Sequence, residues 1–395
     1  MPVDLDALPA KMQLPASPRI GRGLLFILVF TLLCGALVAV FWSAPDSYSS
    51  TWFWCSVLVL PLLGGIMLFS IRLLMHEQRR DYAQNWNDSH DEHEGQLIER
   101  GQRAIAMLAA SYVCDSGSSK LAQTLRAGQQ VSPAQETNPQ ADFDCPARED
   151  ERERRKGEHL LRLATSIERV LAGFEADMQD VLNDASLHVR IRHCVEQSQD
   201  EVEALWRSIR GALGARDQVA FAVQEDGLLW LDAWLDDGFP ARACLSLEIN
   251  RLSEPGDGQG ESVSAILLAH TGWCAEKGLR PQSWIHRPVK LTRGAADIRR
   301  ALLWGKVPPD SADFFIWHSQ LPEGITGVLS VDLHESGQSP PTDAWHSLDG
   351  SFGKAGAAVG NTTLIVAAEQ ALVEARPQLI LLHDHSTQAC VVQPG

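Results

Sequence analysis

The sequence is short of basic residues and of the motifs that identify common enzyme classes. It holds 34 lysines and arginines against 50 aspartates and glutamates, which gives a formal net charge of −16 at pH 7. This balance argues against nucleic acid as a partner, because phosphate backbones are bound by clustered positive charge. The chain has no GxxxxGKS or GxxxxGKT loop, no GxGxxG between a strand and a helix, no GxSxG and no HExxH. We therefore expect no cofactor.

Cysteine spacings typical of metal sites are also missing. Eight cysteines are present, and none of them forms a CxxC pair, so structural zinc is not expected. Cys34 and Cys55 fall in long apolar runs, and the rest are scattered. In a cytoplasmic domain they would be reduced, whereas the reverse topology would allow Cys114 and Cys145 to pair.

Charge is almost absent from two apolar runs near the N-terminus, residues 24–42 and 52–74, where Arg72 is the late exception. A helix needs about 20 apolar residues to cross a bilayer. The runs therefore predict a transmembrane helical hairpin over residues 24–74, after a leader of residues 1–23. A cleaved signal peptide is the alternative for the first run, although the run is longer than a typical signal core.

Basic residues flank the hairpin on its outer ends only, and the loop between the two runs has none. They are Lys11, Arg19, Arg22, Arg72, Arg79 and Arg80. Positive charge stays on the cytoplasmic side, so we predict a two-pass protein of a bacterial inner membrane with both termini in the cytoplasm. No ionisable side chain lies deep in either run, so the hairpin is expected to anchor in the bilayer rather than to conduct.

Three segments precede the C-terminal domain. Apolar residues at three- and four-residue steps predict a juxtamembrane helix through residues 75–114. Residues 115–147 are rich in Ser, Gln, Gly and Pro, which is typical of a flexible linker, and residues 148–215 are predicted to be mainly helical.

Residues 216–395 alternate β-rich runs with helices, which predicts an α/β domain around a central sheet. Helices are predicted at 294–303 and 362–375. Strands are predicted at 218–223, 242–249, 262–270, 313–317, 328–333, 379–383 and 389–393.

Two passages carry a resemblance to a known superfamily. A glycine-rich acidic loop, 254–261, leads into an apolar strand, and the glycine–alanine passage 351–360 leads into a long apolar helix and a final hairpin. This order resembles thiolase-like and β-ketoacyl synthase proteins over residues 218–395. The resemblance implies a layered α/β fold in which the helix after residue 360 is central.

The same resemblance implies a catalytic cysteine and two assisting residues, often both histidines, and these do not assemble here. Cys244 falls within a predicted strand, which is a packing position. Lys354 stands where a histidine after glycine is expected, and His318 lies roughly where the other histidine belongs. These three are the catalytic candidates, and the chain is expected to be a pseudoenzyme.

Thiolase-like domains without a catalytic cysteine occur among accessory proteins of bacterial type VI secretion systems, and the passages 284–288 and 298–305 resemble those proteins. The resemblance implies protein partners in secretion assembly or effector loading. Trp284, His286 and Arg287 are then candidates for a partner-binding loop, although a strand edge stopped by Pro288 is equally consistent. The alternative function is a membrane-tethered acyl-transfer enzyme.

One metal hypothesis concerns His383 and His385, which lie two residues apart on one side of an extended strand. Asp332 or His334 would supply a third ligand. A turn capped by Asp384 explains the same residues without a metal, and we expect no metal.

Overall fold

The protein divides into two compact units, Val3–Leu97 and Ile98–Gly395. The computed structural model describes residues 3–42, 50–114, 120–127, 149–183, 187–222, 225–236, 242–252, 258–309, 311 and 313–395.

The Val3–Leu97 unit is helical. It holds α1 (Ile20–Phe41), α2 (Thr51–Trp54), a π-helical turn (Cys55–Val59) and the start of α3 (Leu60–Gly101). By length and composition, α1 and the continuous helix Thr51–Gly101 are each able to cross a membrane, and their large apolar side chains are mostly exposed. A Cβ added to Gly35 would lie 2.6 Å from the Val57 carbonyl oxygen, so glycine allows the two helices to pack closely there.

The predicted helix over residues 75–114 is only partly correct. The helix ends at Gly101, and Ala104–Cys114 forms strand β1, which pairs with a strand on each side. A strand in the middle of a sheet is buried on both faces and reads as a continuous apolar run. Such a run also places apolar residues three and four apart, so its spacing alone does not distinguish a buried strand from a helix.

The described part of the Ile98–Gly395 unit contains one mixed sheet of eleven strands. After β1 the strands are β2 (His188–His193), β3 (Gln218–Phe221), β4 (Ala243–Asn250), β5 (Ser262–His270), β6 (Ser283–His286), β7 (Val289–Lys290), β8 (Phe315–Ser319), β9 (Trp345–Ser347), β10 (Gln378–His383) and β11 (Thr387–Pro394). The helices are α4 (Leu121–Arg126), α5 (Glu149–Ala172), α6 (Ala176–Leu182), α7 (Gln199–Arg210), α8 (Trp230–Leu235), α9 (Thr271–Lys277), α10 (Ala295–Trp304), α11 (Ile325–Glu335), α12 (Asp349–Phe352) and α13 (Val359–Glu374), with 3-10 turns at Thr342–Ala344 and Gly356–Ala358.

The sheet contains one five-strand pattern twice. Its order is β3-β2-β4-β5-β1-β6-β11-β10-β8-β9, with β7 beside β11. In the N-terminal half, β2 is parallel to β3 and β4, and β5 is antiparallel to β4 and β1. In the C-terminal half, β8 is parallel to β9 and β10, and β11 is antiparallel to β10 and β6. The two halves are therefore structural repeats.

Because of this repeat, the α/β domain begins earlier in the chain than the sequence predicts. β1 and β2 belong to the N-terminal half, so the predicted boundary at residue 216 is too late. Most of the predicted linker 115–147 lies outside the described residues, except that Leu121–Arg126 forms α4. The predicted strand 328–333 is also wrong, because these residues lie in α11. Leu329 and Leu333, one helical turn apart, face the core, whereas the valines that favoured a strand are exposed.

Helix α13 lies at the centre of this unit. Every residue from Val359 to Ala368 is buried, and the helix contacts strands of both halves of the sheet. A second core forms between the N-terminal half and α5 and α7, whose apolar faces include Leu163, Ile167 and Trp206. The α/β class, the buried helix near 362–375 and the final hairpin are confirmed.

Candidate functional site

Hydrogen bonds join the carboxyl ends of strands in the N-terminal half to those in the C-terminal half. Arg192, near the end of β2, pairs with Asp384, which follows β10, at 2.6 Å. The backbone N–H of Gly227, which lies between β3 and α8, donates to the same carboxylate at 2.9 Å. Open α/β sheets bind ligands outside the carboxyl ends of their strands, so this meeting point is the candidate site.

One buried arginine at this site contacts two carboxylates and an aromatic ring. Arg190 on β2 is 2% exposed, and it donates to Glu248 Oε1 at 2.9 Å and to Glu225 Oε2 at 2.6 Å. Its guanidinium carbon lies 4.4 Å from the ring centroid of Trp230. Burial alone would lower the pKa of Arg190, but the two carboxylates raise it above its usual range. The arginine therefore stays charged inside the protein.

The carboxylate of Glu248 also lies in front of the N-terminus of α13. It is fully buried, and its Oε2 accepts the backbone N–H of Asn361 at 2.7 Å. A negative charge is stabilised there by the free N–H groups and the dipole of the helix. A Cβ on Gly360 would lie 3.0 Å from Glu248 Oε1, so this glycine makes room for the carboxylate.

A second carboxylate, Asp226, ties the segment after β3 to the β10–β11 hairpin. It accepts hydrogen bonds from the backbone N–H of His385 at 3.1 Å, from Gln388 Nε2 at 2.6 Å, and from the Ser386 hydroxyl. Burial opposes its ionisation, but the bonds from Ser386 and His385 hold the pKa of Asp226 below its usual range. These hydrogen bonds hold the segment after β3 against the β10–β11 hairpin.

Cys194 is a candidate that the sequence reasoning missed. It follows β2 directly, its Sγ donates to Asn250 Oδ1 at 2.8 Å, and the backbone amides of Arg251 and Ala357 also interact with the sulfur. Cys194 as a residue is exposed, but its sulfur is partly surrounded by protein. This burial raises the pKa of the thiol, and a protonated thiol is a poor nucleophile. Only the strand order shows that a residue after β2 lies at this site.

The predicted catalytic candidates do not form a catalytic set. Cys244 is fully buried in β4, and burial raises the pKa of its thiol to about 12. His318 on β8 is half-buried, which lowers its pKa, and its ring centroid lies 6.3 Å from that of Trp345. The side chain of Lys354 is exposed, whereas its backbone pairs with the loop at Gly258. Among the described residues, no contact joins these three candidates.

The predicted partner-binding residues are not an exposed loop. His286 is 3% and Arg287 is 2% exposed, and Trp284 is half-buried. β6 lies between β1 and β11, which covers both of its edges. Arg287 is held by the carboxylates of Asp232 and Asp236. The expected exposure is therefore wrong.

The described structure does not bring the hypothetical metal ligands together. His383 Nδ1 lies 3.0 Å from Thr387 Oγ1, and His385 is exposed. His334 contacts Ser339 instead of the strand. Within the described ranges, the one group of three or more residues close enough to share a metal ion is His90, Asp91 and Glu94 on α3, where Asp91 pairs with Lys11.

Solved structures show what this architecture resembles. No protein-family model and no curated protein matches the chain. A β-ketoacyl synthase from Burkholderia phymatum STM815 is similar with a TM-score of 0.50 and 13% identity, over 74% of this chain and 100% of that chain. Ketosynthase twelve from the bacillaene polyketide synthase of Bacillus amyloliquefaciens is similar with a TM-score of 0.50 and 9% identity, over 75% and 74% of the two chains. The likeness spans more than the resemblance of residues 218–395, and it shows that the chain has the ketosynthase-like fold.

Proposed function

We propose that this protein is a membrane-anchored, non-catalytic adaptor that presents its ketosynthase-like unit to protein partners. One observation carries the proposal: the buried carboxylate of Glu248, paired with Arg190, fills the space in front of the N-terminus of α13. A helix N-terminus at the carboxyl ends of strands is a natural place for an anionic substrate group. Here a side chain of the protein itself takes that place.

The state of the thiols supports the same proposal. A nucleophilic cysteine needs a lowered pKa or an adjacent base. Burial instead raises the pKa of both Cys244 and Cys194, and Lys354 supplies no imidazole. A protein of this kind would bind partners without turning over a substrate.

We propose that α1 and the apolar part of the second long helix anchor the protein in a bacterial inner membrane, with both termini in the cytoplasm. Their length, their apolar composition and the outer basic flanks support this topology. A phosphatase reporter inserted in the loop 43–49 should be active in the periplasm, and the same reporter after Gly395 should be inactive. The opposite pattern would overturn the topology.

We propose proteins as the partners, with components of a type VI secretion system as the specific candidates. Crosslinking in intact membranes followed by affinity purification tests this, with Cys244→Ala as a matched control that should recover the same proteins. Recovery of sheath or baseplate components supports the adaptor. Recovery of acyl carrier protein alone supports an enzyme instead.

Acyl transfer is the second candidate, and the position of Cys194 among backbone amides is the observation that favours it. Incubation with acyl-coenzyme A or acyl carrier protein, followed by intact mass spectrometry, tests it with Cys194→Ser and Cys244→Ser as controls. We expect no adduct. An adduct that disappears only in Cys194→Ser would overturn the non-catalytic proposal.

A further inference from the structure

A cavity of about 410 Å³ lies between α5 and the adjoining ends of β1 and β5. Three arginines, Arg162, Arg169 and Arg251, line it together with Ser166, Glu261 and Ser262. Its volume falls in the range of about 300–1,000 Å³ that is usual for small-molecule sites.

The described lining of this cavity is positively charged, whereas the chain as a whole is acidic. The protein carries a formal charge of −16, yet the described residues that line this space bring three guanidinium groups and one carboxylate. The carboxylate of Glu261 already accepts the backbone N–H of Leu252 at 2.9 Å. Among the described residues, none of the three arginines forms an ion pair, so the cavity presents a positive potential to solvent.

One of the arginines is held in place by the protein. Arg251 Nη1 donates to Ser166 Oγ at 2.8 Å, and Ser166 donates in turn to the carbonyl oxygen of Arg162 at 2.8 Å. Ser166 is 6% exposed, so this contact is inside the wall rather than on the surface. A guanidinium that is already fixed loses less freedom when it binds an anion in its planar fork.

A buried hydroxyl points to a ligand independently of the arginines. Ser262 is 6% exposed and lines the cavity, and its Oγ has no hydrogen-bond partner among the described residues. Buried hydroxyls are normally satisfied, which favours a further partner for this one. The Oγ is closed to solvent in the structure, so it reaches an acceptor in the cavity after the Ser262 side chain rotates to another χ1 rotamer.

The location is one where α/β sheets bind ligands. β1 and β4 are each antiparallel to β5, so their carboxyl ends lie at the same edge, and β5 begins there with Ser262. Arg251 follows the last residue of β4. Ligands of open sheets bind outside carboxyl ends of strands.

We propose that this cavity binds a phosphoryl group. A phosphoryl group carries about −1.5 to −2 charge at neutral pH, which matches three arginines and one glutamate. Its several acceptor oxygens suit guanidinium forks and the Ser262 hydroxyl together. The cavity is larger than one phosphoryl group, so the group belongs to a larger molecule, either a soluble phosphorylated compound or a phospholipid headgroup. This proposal does not depend on the adaptor function.

Calorimetric titration of the purified full chain with inorganic pyrophosphate tests the site. We expect saturable binding that weakens about tenfold in Arg251→Gln and in Arg169→Gln, because each removes a charge-assisted hydrogen bond. Arg207→Gln on α7, an exposed arginine away from the cavity, is the matched control and should bind like the wild type. Absence of saturable binding, or equal binding by all the arginine variants, would overturn the proposal.

A second variant separates binding from folding. Ser262→Ala removes a hydroxyl that has no partner, so it should keep the unfolding temperature of the wild type while weakening pyrophosphate binding about threefold. Unchanged binding in this variant would contradict the role of Ser262. Competition by phosphatidic acid vesicles, whose headgroup is a phosphate monoester, but not by phosphatidylcholine vesicles, would assign the group to a lipid headgroup. Pyrophosphate binding without such competition would assign it to a soluble compound.

Discussion

At the residue scale, the main feature near the carboxyl ends of the strands is a buried ion pair. Arg190 and Glu248 are both almost fully buried and form an ion pair, while Nη2 of Arg190 has no hydrogen-bond partner among the described residues. A buried ion pair adds little net stability compared with apolar residues, but losing one partner leaves an uncompensated charge in the interior. These two side chains therefore contact each other, and Glu248 also contacts the backbone at the start of α13.

The first prediction removes one of these charges. Glu248→Gln removes the fully buried partner of Arg190 while Glu225 still pairs with it, and should lower the free energy of unfolding by about 1.5–3 kcal/mol. Glu203→Gln removes the partner of Arg207 in an exposed pair and should cost less than about 1 kcal/mol. Denaturant unfolding followed by tryptophan fluorescence measures both. Equal losses in the two variants would show that the buried pair has no special role.

A buried histidine makes stability depend on pH. His286 is 3% exposed, and burial lowers its pKa to about 4. The unfolded chain, with a pKa of about 6.5, binds the proton more readily. Stability is therefore lost as the pH falls from about 6.5 to about 4, and a difference of that size corresponds to about 3 kcal/mol.

His286→Gln should flatten this part of the pH dependence, because the replacement does not titrate. Val373→Ala, an exposed substitution that changes no titratable group, is the control and should keep the wild-type slope. Unfolding free energies measured from pH 7 to pH 4 give the comparison, and identical slopes in wild type and His286→Gln would refute the assignment.

At the element scale, α13 holds the two halves of the sheet together. Its apolar residues face strands from both halves, and almost no part of its first three turns reaches solvent. Helices of this kind show no polar face, because every side is core. The glycine–alanine passage before it is required for close packing: a Cβ on Gly356, whose φ is +52°, would lie 2.3 Å from Asn250 Oδ1.

Two substitutions to alanine on α13 compare a buried position with an exposed position on the same helix. Leu364 is fully buried, and Leu364→Ala should cost about 2–5 kcal/mol through lost contacts and the cavity left behind. Val373 on the same helix is 77% exposed, so Val373→Ala should change stability by less than about 0.5 kcal/mol. Thermal and denaturant unfolding measure both. A small loss of stability in Leu364→Ala would mean that the core around this part of α13 is loosely packed.

At the scale of the whole molecule, the repeated five-strand pattern sets the size of the smallest folded unit. β1 lies between β5 and β6 and connects the two halves, so a fragment that lacks it exposes unpaired strand edges. The fragment 98–395 should therefore unfold in one cooperative transition, whereas the fragment 216–395 should aggregate or lack one. Circular dichroism and calorimetry of both fragments test this. Cooperative unfolding of 216–395 would restore the boundary predicted from the sequence.

Some properties of this protein depend on local composition alone. Two long apolar runs, the acidic balance, the α/β alternation after residue 216 and the apolar character of α13 are all local properties, and local sequence was enough to predict them. The order of the strands is different, because strand pairing joins residues far apart in the chain and carries little local signal. The sequence of β1 shows an apolar run, but its pairing with β5 and β6 is not visible from that run alone.

The candidate site depends on tertiary structure for the same reason. Arg190, Glu248 and Asn361 come from three distant parts of the sequence, and none of them belongs to a motif. Exposure likewise follows from neighbours: the passage around His286 has the composition of a surface loop, yet β1 and β11 cover it. The sequence by itself determined the apolar helices and the class of fold. Only the tertiary structure decided which charges are buried together, because desolvation and pairing depend on what surrounds a residue rather than on its identity.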